Sequence, residues 1–253
     1  MIVCEVGLNH VGNVAYSFDY IARLTSSACE AITYQIREDE FYLNDSFVNT
    51  KLPLDHYKEI KKISNKSNKK FGIALANYTK IDMCENIDVD FYKVLSWDLD
   101  NYDFINNLLQ TDKLVYISTG MSEINDIIRF FTFFEDSKHF SNIRLIHTQL
   151  SNEIKHVNFK VIPYLQKKCG VPVGYGHHCD SENVLHASPI CEPSDIFFYV
   201  RGEQDIKHPD QSHALSLNDV TSTIRILKDV GISVGTETKI KMKNNIDKEN
   251  LNL

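Results

Sequence analysis

Residues 170–179 read Gly-Val-Pro-Val-Gly-Tyr-Gly-His-His-Cys. An apolar run from Val171 to Val173 gives way to glycines, then to two adjacent imidazoles, His177 and His178. A short strand that ends in glycines and then presents polar side chains is how an α/β barrel builds its active-site rim. The spacing predicts a strand over 171–175 and a glycine turn over 174–176. Side chains alternate along extended chain, so only one of His177 and His178 faces such a rim.

The same rhythm continues in both directions. β-rich segments fall at 2–6, 31–36, 70–75, 91–95, 114–118, 143–148, 171–175 and 195–200. Amphipathic stretches lie between them. Tyr20, Ile21 and Leu24 share one helical face, and Ile124, Ile127, Ile128 and Phe131 share another. A last helix starts at the Asn218 cap, buries Val220, Ile224 and Leu227, and stops at Gly231. Eight βα units in 253 residues predict a single α/β domain, a (β/α)8 TIM barrel over 1–235. A doubly wound open sheet is the alternative, because strand order is not written in the sequence. Residues 37–65 are polar and predict an excursion over the barrel mouth. The tail at 236–253 is rich in lysine and asparagine and predicts a frayed terminus.

Bulk properties narrow the function. A net charge of -7 speaks against nucleic acid or an acidic membrane as partner. No apolar run approaches the ~18 residues of a membrane span. No basic segment leads into an apolar one as in a signal peptide. Six widely spaced cysteines without a C-x-x-C pair predict free, mostly buried thiols. The expectation is a cytoplasmic protein.

A barrel presents its chemistry at the C-terminal strand ends. That rule selects Glu5 and His10, Gln35 and Arg37, Lys93 and Ser96, Ser118 and Thr119, and His147. It adds His177 and His178, Tyr199 and Arg201, and, in the last loop, Asp210 and His213. Lys93, just inside a strand end, calls for a counter-anion. The planar fork of Arg201 suits a carboxylate or phosphate, or an intramolecular pair with Glu203. Ser118-Thr119-Gly120-Met121 leads into a helix whose N-terminal N–H groups favour an anion, with Ser122 as its cap. A divalent ion at His178 needs a second imidazole or a carboxylate, and His147 and Asp210 are the nearest in strand order.

Several stretches, in order and spacing, resemble the sialic acid synthase family. They are CEVGLNHVG at 4–12, AITYQ at 31–35, FYKVLSWDLDNYDF at 91–104 and KLVYISTGM at 113–121. LIHTQ at 145–149, GVPVGYGHHCD at 170–180 and HPDQSHALSLNDV at 208–220 complete the set. The family condenses phosphoenolpyruvate (PEP) with an N-acyl hexosamine to a nonulosonic acid. The resemblance covers about 2–230, the family's barrel, and not the small antifreeze-like domain through which members form swapped dimers. For this chain a side-on homodimer of barrels is the partner arrangement left open.

The resemblance implies Glu5, His10, Asp98 and Asp210 as catalytic residues. It implies Lys93, Ser96, Ser118 and Thr119 as substrate contacts, to which the strand-end rule adds Gln35, and Arg201 for its fork. A divalent metal, Mn²⁺ or Mg²⁺, is implied at His178, for which strand order offers His147 as companion. PEP and an amino sugar are the implied small-molecule partners.

The sequence also departs from the family. Thr33 stands where the family has a PEP-binding lysine, and Trp97-Asp98 where it has glycine and glutamate. His177 replaces an aspartate. Phe197 and Tyr199 replace a glutamate and a second metal histidine. Three functions follow as expectations: a divergent PEP-dependent synthase, a metal-free aldolase or lyase on a related acidic sugar, and a non-catalytic barrel that serves as a binding subunit.

Overall fold

A computed structural model describes residues 1–239, with secondary structure alternating between strand and helix throughout. The strands are β1 (Ile2–Gly7), β2 (Ala31–Ile36), β3 (Lys70–Leu75), β4 (Phe91–Val94) and β5 (Leu114–Ser118). β6 (Ile143–His147), β7 (Val173–His177) and β8 (Ile196–Arg201) follow, with a two-residue β9 (Leu215–Ser216) against the end of β8. The helices are α1 (Val14–Ser26), α2 (Leu54–Lys66), α3 (Ile81–Ile87), α4 (Tyr102–Leu109), α5 (Ile124–Phe134), α6 (Val161–Cys169), α7 (Glu182–Ala187) and α8 (Val220–Val234).

Each strand pairs in parallel with the next, and β1 pairs with β8, so the sheet closes on itself. Eight parallel strands with intervening helices form a TIM barrel, and the open-sheet alternative falls. Near-continuous apolar strands fit this closure, because both faces of a parallel sheet are covered. The outward residues, such as Cys4, Val6, Ile32, Tyr34, Ile73 and Val94, join the helices in one large core. The inward residues Val3, Ala31, Phe91, Tyr116, Ile146 and Phe197 form a second, smaller cluster that plugs the barrel floor.

Local physics explains where the expected boundaries moved. Pro172 has no N–H for the ladder, and β7 starts one residue later and runs to His177. The glycines predicted as a turn lie inside that strand. A Cβ on Gly174 would sit 2.9 Å from the Asp195 carbonyl oxygen, and one on Gly176 2.9 Å from Ile146 Cγ2. They are glycines for close approach, not for turning.

The buried face of α5 is Ile127, Phe130, Phe131 and Phe134, rotated from the expected stripe, and its cap is a Glu123/Asp126 capping box rather than Ser122. α8 begins after Asp219, passes through Gly231 and ends at Gly235, one turn beyond the expected stop. Only residues 37–53 form the excursion, with short 3₁₀ turns at Phe41–Leu43 and Val48–Thr50. The rest is α2, buried through His56, Tyr57, Ile60, Lys61 and Ser64. All six cysteines are unpaired. No helix among the described residues is long and apolar enough to cross a membrane. Of the predicted tail, residues 240–253 lie outside the described part.

Candidate active site

Two residues above the floor cluster, by strand alternation, the barrel interior turns polar. Glu5 is in register with Thr33 on one side and Tyr199 on the other, so the three share one level. Lys93 reaches Glu5 across the axis, with its Nζ 2.5 Å from Glu5 Oε2. Thr33 Oγ1 donates a longer bond to the same oxygen, at 3.4 Å. Both charges are almost wholly buried, which is tolerable only because they meet each other. The rings of Phe197 and Tyr199 stand 5.6 and 5.4 Å from the ammonium.

Above this pair opens a cleft of about 240 Å³. Lys93, Ser118 and Gly176 contribute from β4, β5 and β7, and Ser96 and Thr148 from the chain just past β4 and β6. His178, Tyr199 and Asp210 close the far side, and Gln35, Arg37, Phe41, Phe47 and Trp97 form the rim over β2 and β4. Gly120 N–H donates to Ser96 Oγ at 3.2 Å, a contact that a Cβ at Gly120, 2.8 Å from that oxygen, would crowd. Ser118 Oγ and Thr148 Oγ1 are buried and have no hydrogen-bond partner among the described residues.

The wall at β7 and β8 is a cluster of rings. His178 stacks on His213 with centroids 4.5 Å apart, and Tyr199 meets the two edge-on at 5.5 and 5.2 Å. Burial pushes the His213 imidazole down to about 4 and holds His178 well below the usual histidine range. The ammonium of Lys93 adds to both effects. Both effects favour the neutral imidazole. Burial, reinforced by Glu5, pushes the Asp210 carboxyl up to about 7.

Asp210 is carried by the loop after β8, which α1 and the end of β1 pin in place. Asn9 Nδ2 donates to Val200 O at 2.8 Å, and Asn9 Oδ1 accepts from Asp210 N at 3.0 Å. Gly202 N donates to Tyr20 Oη at 2.6 Å, and Tyr16 Oη lies 2.8 Å from His208 Nε2. Gly7, with φ of +55°, lets β1 pass Tyr199, because a Cβ there would lie 2.7 Å from the ring.

The structure thus brings together Glu5, Gln35, Lys93, Ser96, Ser118, His178 and Asp210. Other expected site residues do not join them. His10 lies behind β1, stacked on the outward Tyr34 at 5.6 Å, with Nδ1 accepting from Gly12 N at 3.0 Å. Burial drives its imidazole down to about 3. His147 also points outward. Its Nε2 lies 2.8 Å from Val157 O, with the inward positions of β6 taken by Ile146 below and Thr148 above.

Thr119 turns its hydroxyl to Ile146 O at 3.1 Å and does not line the cleft. Arg201 stands beyond the rim beside β9, outside the cleft and in no ion pair with Glu203. Asp98 flanks the cleft without lining it. Its Oδ2 is buried without a partner, and burial with the nearby Glu38 raises its carboxyl to about 6. His177, the outward member of its pair, bonds Tyr175 Oη at 3.0 Å. Asn9, Tyr16 and Tyr20, which position Asp210, are missed by a reading of strand ends alone. The LNHVG stretch after β1 was the available signal.

The model of the NeuB family matches residues 17–239. The chain belongs to the NeuB family. An uncharacterised protein of Methanocaldococcus jannaschii is 24% identical, over 97% of this chain and 75% of its own. The N,N'-diacetyllegionaminic acid synthase of Campylobacter jejuni is 22% identical, over 96% of this chain and 81% of its own. The citrate-bound N-acetylneuraminic acid synthetase of Leptospira borgpetersenii superposes with a TM-score of 0.86 at 19% identity, covering 96% of this chain and 87% of that one. At that identity the superposition speaks to the fold, a NeuB-family barrel.

The divalent ion implied by the family does not find a matching donor set in this NeuB-family chain. His147 is committed to a backbone carbonyl on the outer face, and Tyr199 supplies a phenol whose proton burial holds far more firmly than usual. The planes of His178 and His213 are within 28° of parallel, which directs their nitrogens along neighbouring planes rather than to one point. Among the described residues no three His, Cys, Asp or Glu side chains are grouped to hold an ion.

Proposed function

We propose that this chain is a divergent synthase of its family, joining PEP to the carbonyl carbon of an N-acyl hexosamine to give a nonulosonic acid. The observation that carries the reading is the pair of buried hydroxyls, Ser118 Oγ and Thr148 Oγ1. They lack partners and open on the same cleft as Lys93. Buried polar atoms without partners are rare in folded proteins and mark places where a ligand completes the bonding. A serine, a threonine and a lysine around one cavity suit the carboxylate and phosphate of PEP.

In the reaction, the methylene carbon of PEP forms the new bond to the sugar carbonyl carbon, whose oxygen takes a proton. Water adds to the former enol carbon, and phosphate leaves with its bridging oxygen. Asp210, whose carboxyl is held near 7, suits the proton donor to the carbonyl oxygen. Glu5 and Lys93, joined at 2.5 Å, suit the positioning of the enol and its carboxylate.

The pairing of Lys93 with Glu5 and the filling of the β8 wall by Tyr199 also favour a second reading, a barrel that binds a sugar acid without turning it over. Calorimetric titration of PEP into the full chain, with and without Mn²⁺, tests the first. It predicts one-site binding that Ser118→Ala and Lys93→Ala each weaken. No heat in either condition would leave the binding-barrel reading.

A further inference from the structure

We propose that Arg37 is an anion-capturing residue of the cleft, so that one of a small substrate's anionic groups, carboxylate or phosphate, is seized at the rim over β2, above the Lys93–Glu5 pair. The inference deepens the synthase reading and rests on it for the identity of the anion.

Lysine and arginine line the cleft at two positions, Lys93 and Arg37. The ammonium of Lys93 is already committed to Glu5 at 2.5 Å. Arg37 is differently placed. It follows β2 on the inward line of Thr33 and Gln35, at the top of the cleft. Its backbone N–H donates to Tyr42 Oη at 3.1 Å, which fixes the turn that carries it.

The guanidinium carbon lies 4.0 Å from the ring centre of Phe41 and 4.9 Å from that of Trp97. Aromatic faces hold a guanidinium in place without consuming its N–H groups. Nε donates to Glu38 at 2.8 Å. The terminal N–H groups have no partner among the described residues, although the side chain is only 14% exposed. A held guanidinium with its outer edge unused is built for bidentate contact with a carboxylate or phosphate.

Two acids stand beside it: Glu38, which takes Nε, and Asp98, whose Oδ2 has no partner among the described residues. They set its position and leave the outer edge open. The carrier is the excursion at 37–53, whose Phe41 and Phe47 form the rim with Trp97.

The test is calorimetry on the full chain with PEP, pyruvate and inorganic phosphate as probes, for the wild type, Arg37→Ala, Arg37→Gln and Arg37→Lys, with each fold verified by circular dichroism. The proposal expects Arg37→Ala and Arg37→Gln to weaken binding of the anions that the wild type binds by ~10–100-fold, the size of a lost charge-assisted contact. Arg37→Lys, which keeps the charge and loses the fork, should restore binding only in part. Arg37→Gln retains the stem, so it reports on the charge even if the alanine variant unfolds. Wild-type binding of phosphate or pyruvate but not PEP, lost in Arg37→Gln, would uphold the anion site and overturn the synthase reading. Binding of any probe that is equal in the wild type and Arg37→Gln would overturn the proposal, as would a wild type that binds none of the three.

Discussion

The floor and the mouth of this barrel are made by the same strands two residues apart, and they are chemical opposites. At the floor, Phe91, Tyr116 and Phe197 meet edge to face at 5.4 and 5.1 Å, among Val3, Ala31 and Ile146. At the mouth, Glu5, Thr33 and Lys93 form one satisfied polar layer, and above it Ser118 and Thr148 are left unsatisfied. The floor holds the strands together. The mouth departs from the rule that buried polar groups are paired, and such departures mark function more often than error.

If that division is right, the largest effect comes from breaking the ion pair. Lys93→Met leaves Glu5 buried and unpaired and should cost about 3–5 kcal/mol in urea unfolding. The Glu5→Gln/Lys93→Met double variant should recover more than half of that. Additive losses would mean that the two side chains are not a coupled unit.

Close behind is Phe91→Ala at the floor, expected to cost about 3–5 kcal/mol by opening a cavity. It should leave PEP affinity, measured on the folded fraction, unchanged. A tenfold change in affinity would erase the distinction between floor and mouth.

Smaller is the pH dependence of Asp210. Its carboxyl is raised to about 7 from an ordinary 3.8, so the folded chain binds that proton more tightly than the unfolded one. That contribution to stability is present at low pH and is lost as pH rises from ~4 to ~7. Asp210→Asn lacks this loss. It should be more stable than the wild type at pH 8, with the difference shrinking toward zero as pH falls to 4. The buried histidines away from Asp210 are common to both proteins and cancel in the difference; His213, whose Nε2 lies 4.0 Å from Asp210 Oδ1, does not. Thermal melts at the two pH values measure it. The smallest stability effect belongs to Ser118→Ala, which should change unfolding by less than ~0.5 kcal/mol and weaken PEP binding about tenfold.

The same contrast explains how much could be read beforehand. The floor and the outer core follow from alternation and amphipathicity, so the eight strands were legible, whereas their closure, β8 against β1, was expected from their number alone. The β7 boundary slipped because glycines chosen for close approach look like glycines chosen for turning. At the mouth, Glu5, Lys93, Ser96, Ser118, His178 and Asp210 were legible as strand-end residues.

His10 was not, because it lies in the turn beyond the end of β1, where strand parity no longer applies, and His147 was not, for a geometric reason. A one-residue step turns a strand side chain to the opposite face, and the sequence does not say which parity faces inward. Ile146 and Thr148 take the inward places on β6, which leaves His147 to the helices. The stacking of His213 on His178 was beyond reach, because it depends on the path of the loop after β8. That path is set by Asn9, Tyr16 and Tyr20 from the far end of the chain.

The measurement that tests the account most directly is phosphate release from PEP by the full chain, in the presence of a panel of N-acyl hexosamines. The account predicts release that requires both PEP and one of the sugars and that Ser118→Ala and Asp210→Asn each reduce. No release with any sugar, or release that does not depend on sugar, would contradict it.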